Sequence, residues 1–147
     1  SVAVFQMPID RINSIMTSNK GWRDVGLGES GETYIVGEDF KMRNQSRFLI
    51  EDRNNYFKAI RGSGMPVETV SLIENYNSTV GLQKVETQGT IAALSGQTNT
   101  EIFPDYRNVP VLSAYRPLNI AGVRWALMSE IDATEAFAAI ENLKVRI

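Results

Sequence analysis

The chain has 147 residues, of which 43% are hydrophobic and 22% are charged, and its formal net charge is −2. This length and composition are typical of one globular domain, and the small net charge gives no reason to expect nucleic acid or an anionic membrane surface as a partner. The sequence contains no Cys, which excludes disulfides and thiolate chemistry. It also contains no His, the usual proton carrier near neutral pH and a common metal ligand. We therefore expect no cofactor, no metal site and no catalytic residues, and we predict that the protein is not an enzyme.

The N-terminal part of the sequence predicts a strand followed by a helix. Residues 2–7 are rich in strand formers, and Pro8 fits the first turn of a helix because the N–H that it lacks is not needed there. The apolar residues of segment 9–16 recur at helical spacing, and the polar residues 19–21 predict the end of that helix. The glycine-rich segment 21–31 should then be a loop.

The middle of the sequence predicts a β-hairpin and a helical insertion. Strands are expected at residues 32–36 and 41–48, on either side of a short polar turn. Helices are expected at residues 53–61, 67–76 and 85–94, where apolar side chains recur with helical periodicity between glycine and proline breaks.

The C-terminal part predicts a three-stranded meander and a final helix. Strands are expected at residues 100–106, 109–118 and 124–131, which are separated by residues typical of tight turns. Asp132 should cap the last helix, with Glu135 three residues later as its capping-box partner. One face of this helix is apolar and carries Phe137, Ile140, Leu143 and Ile147.

Together these elements predict an α+β fold with a five-stranded antiparallel sheet and helices on one face. Strands and helices do not alternate one for one, which argues against a doubly wound parallel sheet. We expect a single module over residues 1–147, with a lead-in strand and helix at 1–21, a core at 26–131 and an exit helix at 132–147.

Four ordered blocks cover most of the chain from residue 26 onward. They are residues 26–37 (GLGESGETYIVG), 42–48 (MRNQSRF), 105–118 (DYRNVPVLSAYRPL) and 125–137 (WALMSEIDATEAF). These blocks resemble the Cache family, the extracytoplasmic PAS-like sensor domains of bacterial transmembrane receptors. One departure is Asn108, which stands where the family has a turn glycine. Because Asn tolerates a positive φ, we expect the turn to be kept.

The resemblance implies a PAS-like fold and a periplasmic location between two transmembrane helices. It also implies that a small-molecule signal passes through the exit helix to a cyclase, histidine kinase or chemotaxis output domain, in a homodimeric receptor. The sequence contains no apolar run long enough to cross a membrane, so we expect the chain to be a segment of such a receptor. A structural spacer or dimerisation module that binds no ligand remains the alternative. A cytosolic PAS domain with haem or flavin is disfavoured by the missing His and Cys.

Candidate ligand-binding residues come from the arginines and tyrosines of the predicted core. Arg43 and Arg47 lie four residues apart on a predicted strand, so both side chains would project to one face. Two guanidinium groups suit a carboxylate. With Tyr56, Tyr106 and Tyr115 as walls, the sequence predicts a pocket between the helical insertion and the sheet for a small organic anion.

Each of these assignments has a structural alternative. The two arginines would instead be solvated if they pair with Asp39 or Glu51, and the tyrosines would simply fill the core. Asp105 resembles the acid that meets the ligand ammonium in amino-acid-binding relatives, but we favour a turn-capping role for it. Four carboxylates crowd one loop and strand without the spacing of a calcium loop. We interpret them as solvated charges: Glu29, Glu32, Glu38 and Asp39.

Overall fold

The computed structural model describes residues 9–145. Within this range the structure contains six α-helices and one four-stranded antiparallel sheet, which confirms the α+β class. None of the helices in this range has the length and apolar character needed to cross a membrane. The helices are α1 (Ile9–Met16), α2 (Arg47–Glu51), α3 (Arg53–Gly62), α4 (Val67–Tyr76), α5 (Gln88–Leu94) and α6 (Ala133–Val145). The strands are β1 (Glu32–Val36), β2 (Asn99–Pro104), β3 (Pro110–Ile120) and β4 (Val123–Asp132).

The sheet has the strand order β1-β4-β3-β2. The three C-terminal strands form the predicted meander, in which β3 pairs with both β2 and β4. The first strand pairs antiparallel with the last, so that Tyr34 lies opposite Met128. The long insertion between β1 and β2 therefore connects the two edges of the sheet, and it must cross one of its faces.

The core lies between that face and the helices. Side chains alternate along a strand, and the buried residues of β3 and β4 accordingly lie at every second position. The buried apolar residues from the sheet are Tyr34, Val36, Phe103, Val111, Tyr115, Ala126 and Met128. They form one cluster with helical residues that include Leu49, Tyr56, Ile60, Ile73 and Ala93. The expected packing of the insertion over one face of the sheet is confirmed.

The predicted strand at residues 41–48 is wrong. Only isolated bridges form there, and the chain then turns into α2. In place of a strand partner, polar side chains of this segment accept hydrogen bonds from backbone N–H groups. Asn44 Oδ1 accepts the N–H of Ile35 at 2.8 Å, and Ser46 Oγ caps α2 by accepting the N–H of Phe48 at 3.2 Å. Such local side-chain bonds compete with a strand ladder.

Smaller differences concern the helix ends. The helix expected at 85–94 begins three residues later, at Gln88, because Thr87 caps it through a reciprocal bond with Thr90. The capping box predicted for α6 does not form, since the Glu135 carboxylate bonds to the loop before β1 instead. The strand predicted at residues 2–7 lies outside the described residues.

Helix α5 packs closely against the sheet through Gly89. A Cβ atom at this position would lie 2.4 Å from the Phe103 ring and 2.9 Å from Met128 Cε. Gly89 is buried in the first turn of α5, and glycine within a helix ordinarily weakens it. The close approach of α5 to the sheet therefore requires the glycine.

We predict that Gly89→Ala destabilises the protein by about 1–3 kcal/mol, because overpacking at Phe103 outweighs the better helix propensity of alanine. The matched control is Gly62→Ala at the end of α3, where no heavy atom lies within 4 Å of the added Cβ. That variant should be neutral or gain up to about 1 kcal/mol. Urea unfolding measures both, and equal effects at the two positions would contradict this account.

Candidate functional site

A cleft of about 500 Å³ lies between helices α2 and α3 and the turn that joins β2 to β3. It is lined by Glu29, Phe48, Glu51, Asp52, Asn55, Tyr56, Ala59, Arg107 and Val109. The lining combines apolar side chains with polar and charged ones. Two of its three carboxylates are ion-paired with arginines outside the lining, Glu29 with Arg23 and Glu51 with Arg47, and Asp52 is the third.

Arg107 forms the wall of the cleft that belongs to the sheet. Its Nε donates to Asp105 Oδ2 at 2.8 Å, its Nη2 donates to Asp132 Oδ1 at 2.5 Å, and its guanidinium carbon lies 3.7 Å from the centre of the Phe48 ring. Burial by itself would lower the pKa of Arg107, but the charges of Asp105 and Asp132 raise it. This guanidinium is therefore engaged in internal ion pairs.

Asp105 holds the turn between β2 and β3. Its Oδ1 accepts the backbone N–H groups of Arg107 at 2.8 Å and Val109 at 3.1 Å. Burial raises the pKa of Asp105, although Arg107 and these N–H groups act in the opposite direction. Asn108 adopts a φ of 62°, as expected for the residue in place of glycine. The turn-capping interpretation of Asp105 is confirmed.

The two arginines proposed as an anion clamp do not share a face. Arg43 is partly exposed and its Nη2 donates to Asp39 Oδ1 at 2.9 Å, which is one of the surface pairings considered above. Arg47 lies in α2 and is 1% exposed. The expectation that both project to one side is wrong, because it required a strand where the chain forms a helix.

The Arg47 guanidinium binds the protein's own backbone. It donates to the carbonyl oxygen of Gly31 at 2.5 Å and to that of Gly28 at 2.8 Å, and its Nε donates to Glu51 Oε1 at 3.1 Å. All three nitrogen atoms are thus occupied by internal acceptors. Arg47 shapes the loop beside the cleft and does not line it.

The three tyrosines are dispersed. Tyr56 lines the cleft and donates its hydroxyl to Gln83 Oε1 at 2.6 Å. Tyr115 lies over the sheet beside β2 and donates to Glu101 Oε2 at 2.7 Å. The structure therefore brings Tyr56 to the cleft and leaves Tyr115 away from it.

Tyr106 is buried in the turn between β2 and β3 and donates its hydroxyl to Glu32 Oε1 at 2.5 Å. Ser46 in turn lies 2.7 Å from the Tyr106 hydroxyl. Glu32 is 3% exposed, so its interpretation as a solvated charge is wrong. The sequence already indicated this burial, because Glu32 lies two residues before Tyr34 on the same strand and both side chains therefore project to the core face.

The cleft is bonded directly to the start of α6. The Glu135 carboxylate accepts the backbone N–H groups of Glu29 and Ser30, each at 2.9 Å, and the Ser30 hydroxyl at 2.5 Å. Burial alone would raise the pKa of Glu135, but these hydrogen bonds lower it. Arg107 in turn binds Asp132, which immediately precedes α6. Residues Glu29 and Arg107 of the cleft lining are therefore both bonded to the start of this helix.

Sequence reasoning missed Arg107, Asp132 and Glu135 as members of one network. Arg107 and Asp132 are separated by 25 residues in the sequence, and only the pairing of β3 with β4 brings them together. The spacing of Asp105 and Arg107 within one turn was the available local signal. Glu135 was assigned to a local cap because that partner is nearest in sequence.

Comparisons of the chain with protein-family models, with curated proteins and with solved structures gave no match.

We predict that Arg107→Met lowers the free energy of unfolding by about 3–5 kcal/mol, because it leaves the buried Asp105 carboxylate without its cation. The double variant Asp105→Asn/Arg107→Met should lose less than the sum of the two single variants. Urea unfolding of the full cycle measures this coupling. Arg116→Met, at an exposed position of β3, serves as the control, and strictly additive losses would rule out the coupling.

Proposed function

We propose that this chain is an extracytoplasmic, Cache-like sensor module of a membrane-bound signalling receptor, and that it binds a small molecule in the cleft and relays the signal through α6. The resemblance of the sequence to the Cache family supports the proposed class of protein. The hydrogen bonds between the cleft and α6 support the proposed path by which ligand binding would act on the helix.

One observation carries the relay. Glu29 and Arg107 both line the cleft, and both are bonded to the start of α6: Glu29 to Glu135 in its first turn, and Arg107 to Asp132, the residue before it. A ligand that changes the distance between Glu29 and Arg107 must change at least one of these contacts. It would then favour one arrangement of α6 over another by its difference in affinity for the two.

The proposal includes a PAS-like sheet. Beside the outer edge of β1, single antiparallel bridges join Val36 to Met42 and Lys41 to Lys84. In this proposal the bridged segment stands in for the fifth strand, next to β1 and away from β4. The position supports a PAS-like arrangement in which one edge strand is reduced to isolated bridges.

The charges of the cleft indicate what the ligand carries. A carboxylate ligand was expected from the arginine pair, but Arg47 binds backbone carbonyls and Arg43 pairs with Asp39. The cleft lining also carries three carboxylates, of which Glu29 pairs with Arg23 and Glu51 pairs with Arg47, whereas Asp52 has no ion pair among the described residues. We therefore favour a small organic molecule with a cationic group, which the Asp52 carboxylate would attract.

In the alternative, the module is a structural spacer and no ligand binds in the cleft. In that case the bonds to α6 serve only to fix the direction in which the helix leaves the sheet. The two functions differ in whether occupation of the cleft changes the stability of the module.

We expect small alkyl amines to raise the melting temperature in a concentration-dependent way, because a ligand that binds the folded state stabilises it. Carboxylic acids with the same carbon skeletons serve as the comparison set. Ala59→Trp should abolish the shift, since Ala59 lines the cleft and a large ring there fills it. Lys58→Trp adds the same ring at the exposed neighbouring position of α3 and should preserve the shift.

Amide hydrogen exchange then tests the relay. The ligand should change protection in the first turn of α6 in the wild-type protein and in Lys58→Trp, but not in Ala59→Trp. If no compound of the panel shifts the melting temperature, or if Ala59→Trp responds like wild type, the spacer is the better account.

We also propose that the module associates as a homodimer along α6 in the receptor. Phe137 is 51% exposed, Ile140 is 46% exposed and Leu143 is 62% exposed, and together they form an apolar stripe along the helix. Such stripes are typical of helix–helix contacts.

We predict that the isolated module dimerises weakly and that Ile140→Glu increases the dissociation constant at least about tenfold, because it places a charge in an apolar contact. Asn142→Glu adds the same charge at another exposed position of α6 and should have little effect. Sedimentation equilibrium measures both. Purely monomeric behaviour of the wild-type module at high concentration would exclude an autonomous interface.

A further inference from the structure

Three carboxyl groups lie buried together where β1 and β4 meet the β2–β3 turn. Glu32 and Glu130 are each 3% exposed, and Asp105 is 6% exposed. Burial raises the pKa of Glu32 and of Glu130 to about 7. Carboxylates removed from water require cations or several hydrogen-bond donors to remain ionised. The partners of each group therefore indicate which one holds a proton.

Asp105 and Glu32 have the surroundings of ionised groups. Asp105 binds the Arg107 guanidinium and accepts two backbone N–H groups. Glu32 Oε1 accepts the Tyr106 hydroxyl at 2.5 Å, and Glu32 Oε2 accepts the backbone N–H of Arg47 at 3.0 Å. Each oxygen atom of both carboxylates thus has a donor.

Glu130 has different surroundings. Its Oε1 accepts the Tyr34 hydroxyl at 2.5 Å, whereas its Oε2 has no hydrogen-bond partner among residues 9–145. The buried Ser113 hydroxyl oxygen also lacks a partner within this range. Ser113 is the residue directly opposite Glu130 on β3, as Glu32 is on β1. Directly opposite residues of antiparallel strands project to the same face with their Cβ atoms about 5 Å apart.

We propose that Glu130 is a proton-binding site, and that its protonation makes the β1–β4 pairing, and with it the start of α6, respond to pH. In the protonated form, Oε2–H donates to Ser113 Oγ. In the ionised form the Ser113 hydroxyl can donate to Oε2 instead, which lowers the pKa of Glu130 but supplies no positive charge to balance the buried carboxylate. Loss of the proton to solvent leaves a charge beside Glu32 on the adjacent strand. This input goes beyond ligand binding in the cleft and does not depend on it.

The groups that act on this site come from every neighbouring element. They are Glu32 and Tyr34 of β1, Ser113 of β3, Glu101 of β2, the turn residues Asp105, Tyr106 and Arg107, Arg47 of α2, Tyr56 of α3 and Asp132 before α6. Arg107 bonds to Asp105 and Asp132, and the Arg47 guanidinium bonds to backbone carbonyls and Glu51. Neither cation contacts Glu130 within the described part of the chain.

The direction of the pH dependence follows from linkage. The folded state raises the pKa of Glu130 from its ordinary value of 4.5 to about 7, so the folded protein binds the proton more tightly than the unfolded chain does. This contribution to stability is fully present below pH 4.5 and is lost as the pH rises through 7. Glu32, whose pKa is also raised to about 7, and Asp105, whose pKa is raised by burial, act in the same direction, whereas Glu135 has a lowered pKa and acts in the opposite direction.

The test compares wild type with Glu130→Gln by urea unfolding between pH 4.5 and 8. Glutamine keeps the shape of the protonated acid: its oxygen accepts from Tyr34 and its amide donates to Ser113. We expect the stability of Glu130→Gln relative to wild type to rise with pH, until the ratio of unfolding constants has changed about 100-fold or more. Parallel pH profiles for the two proteins would overturn the proposal.

Glu32→Gln is the matched control, because Glu32 lies opposite Glu130 but accepts a donor on each oxygen. This variant removes the contribution of Glu32, whose pKa is also raised to about 7, and should keep that of Glu130 with its midpoint shifted to lower pH, since a neighbouring negative charge has been removed. If Glu32→Gln abolishes the pH dependence and Glu130→Gln does not, the proton belongs to Glu32 and the assignment fails.

Infrared spectroscopy tests the assignment without relying on the stability of any variant. Wild type should show the carbonyl band of a buried carboxylic acid at pH 5 that disappears toward pH 8, and Glu130→Gln should lack it. The absence of such a band from the wild-type spectrum at pH 5 would contradict the proposal.

Discussion

The guanidinium of Arg47 lies inside the protein, and the shape of the loop before β1 depends on it. A buried cation must be hydrogen-bonded on all sides, and here the acceptors are backbone carbonyls of Gly28 and Gly31 together with Glu51. The same group lies 5.0 Å from the centre of the Trp22 ring. Through these contacts the Arg47 guanidinium connects the loop before β1, helix α2 and the segment that follows α1.

The loop can satisfy Arg47 only because of its glycines. Gly28 has a φ of +58°, in the left-handed region that most side chains avoid. A Cβ atom at Gly31 would lie 2.2 Å from the Leu27 carbonyl oxygen. In this shape the N–H groups of Glu29 and Ser30 point at Glu135 of α6. The arginine thereby sets the geometry of the cleft wall and of the helix that leaves it.

The buried polar groups distinguish this core from a purely apolar one. Glu32, Glu130 and Ser113 occupy positions on the inner face of the sheet where apolar side chains would pack without desolvation penalties. A partly satisfied buried network destabilises a fold. Proteins retain such groups where a change of charge or contact has a use. Glu130 lies two residues before Asp132, which binds Arg107 of the cleft lining and immediately precedes α6, so the proposed proton site and the proposed ligand site both adjoin the start of this helix.

The sequence by itself determined the elements whose signals are local. Strand β1 and helix α4 have the predicted bounds, the meander forms as expected and the Asn108 turn is kept, because periodicity and turn chemistry act over a few residues. Tertiary structure decided the segment 41–48, where Asn44 and Ser46 bind backbone groups in place of a strand partner. It also decided which charged residues of the site find partners that are distant in sequence. Arg107 and Glu135 find acceptors and donors on strands and loops that are distant in sequence, and no periodicity encodes such pairings. Whether a charge is buried depends on which elements cover it, and that is settled only when the helices pack on the sheet.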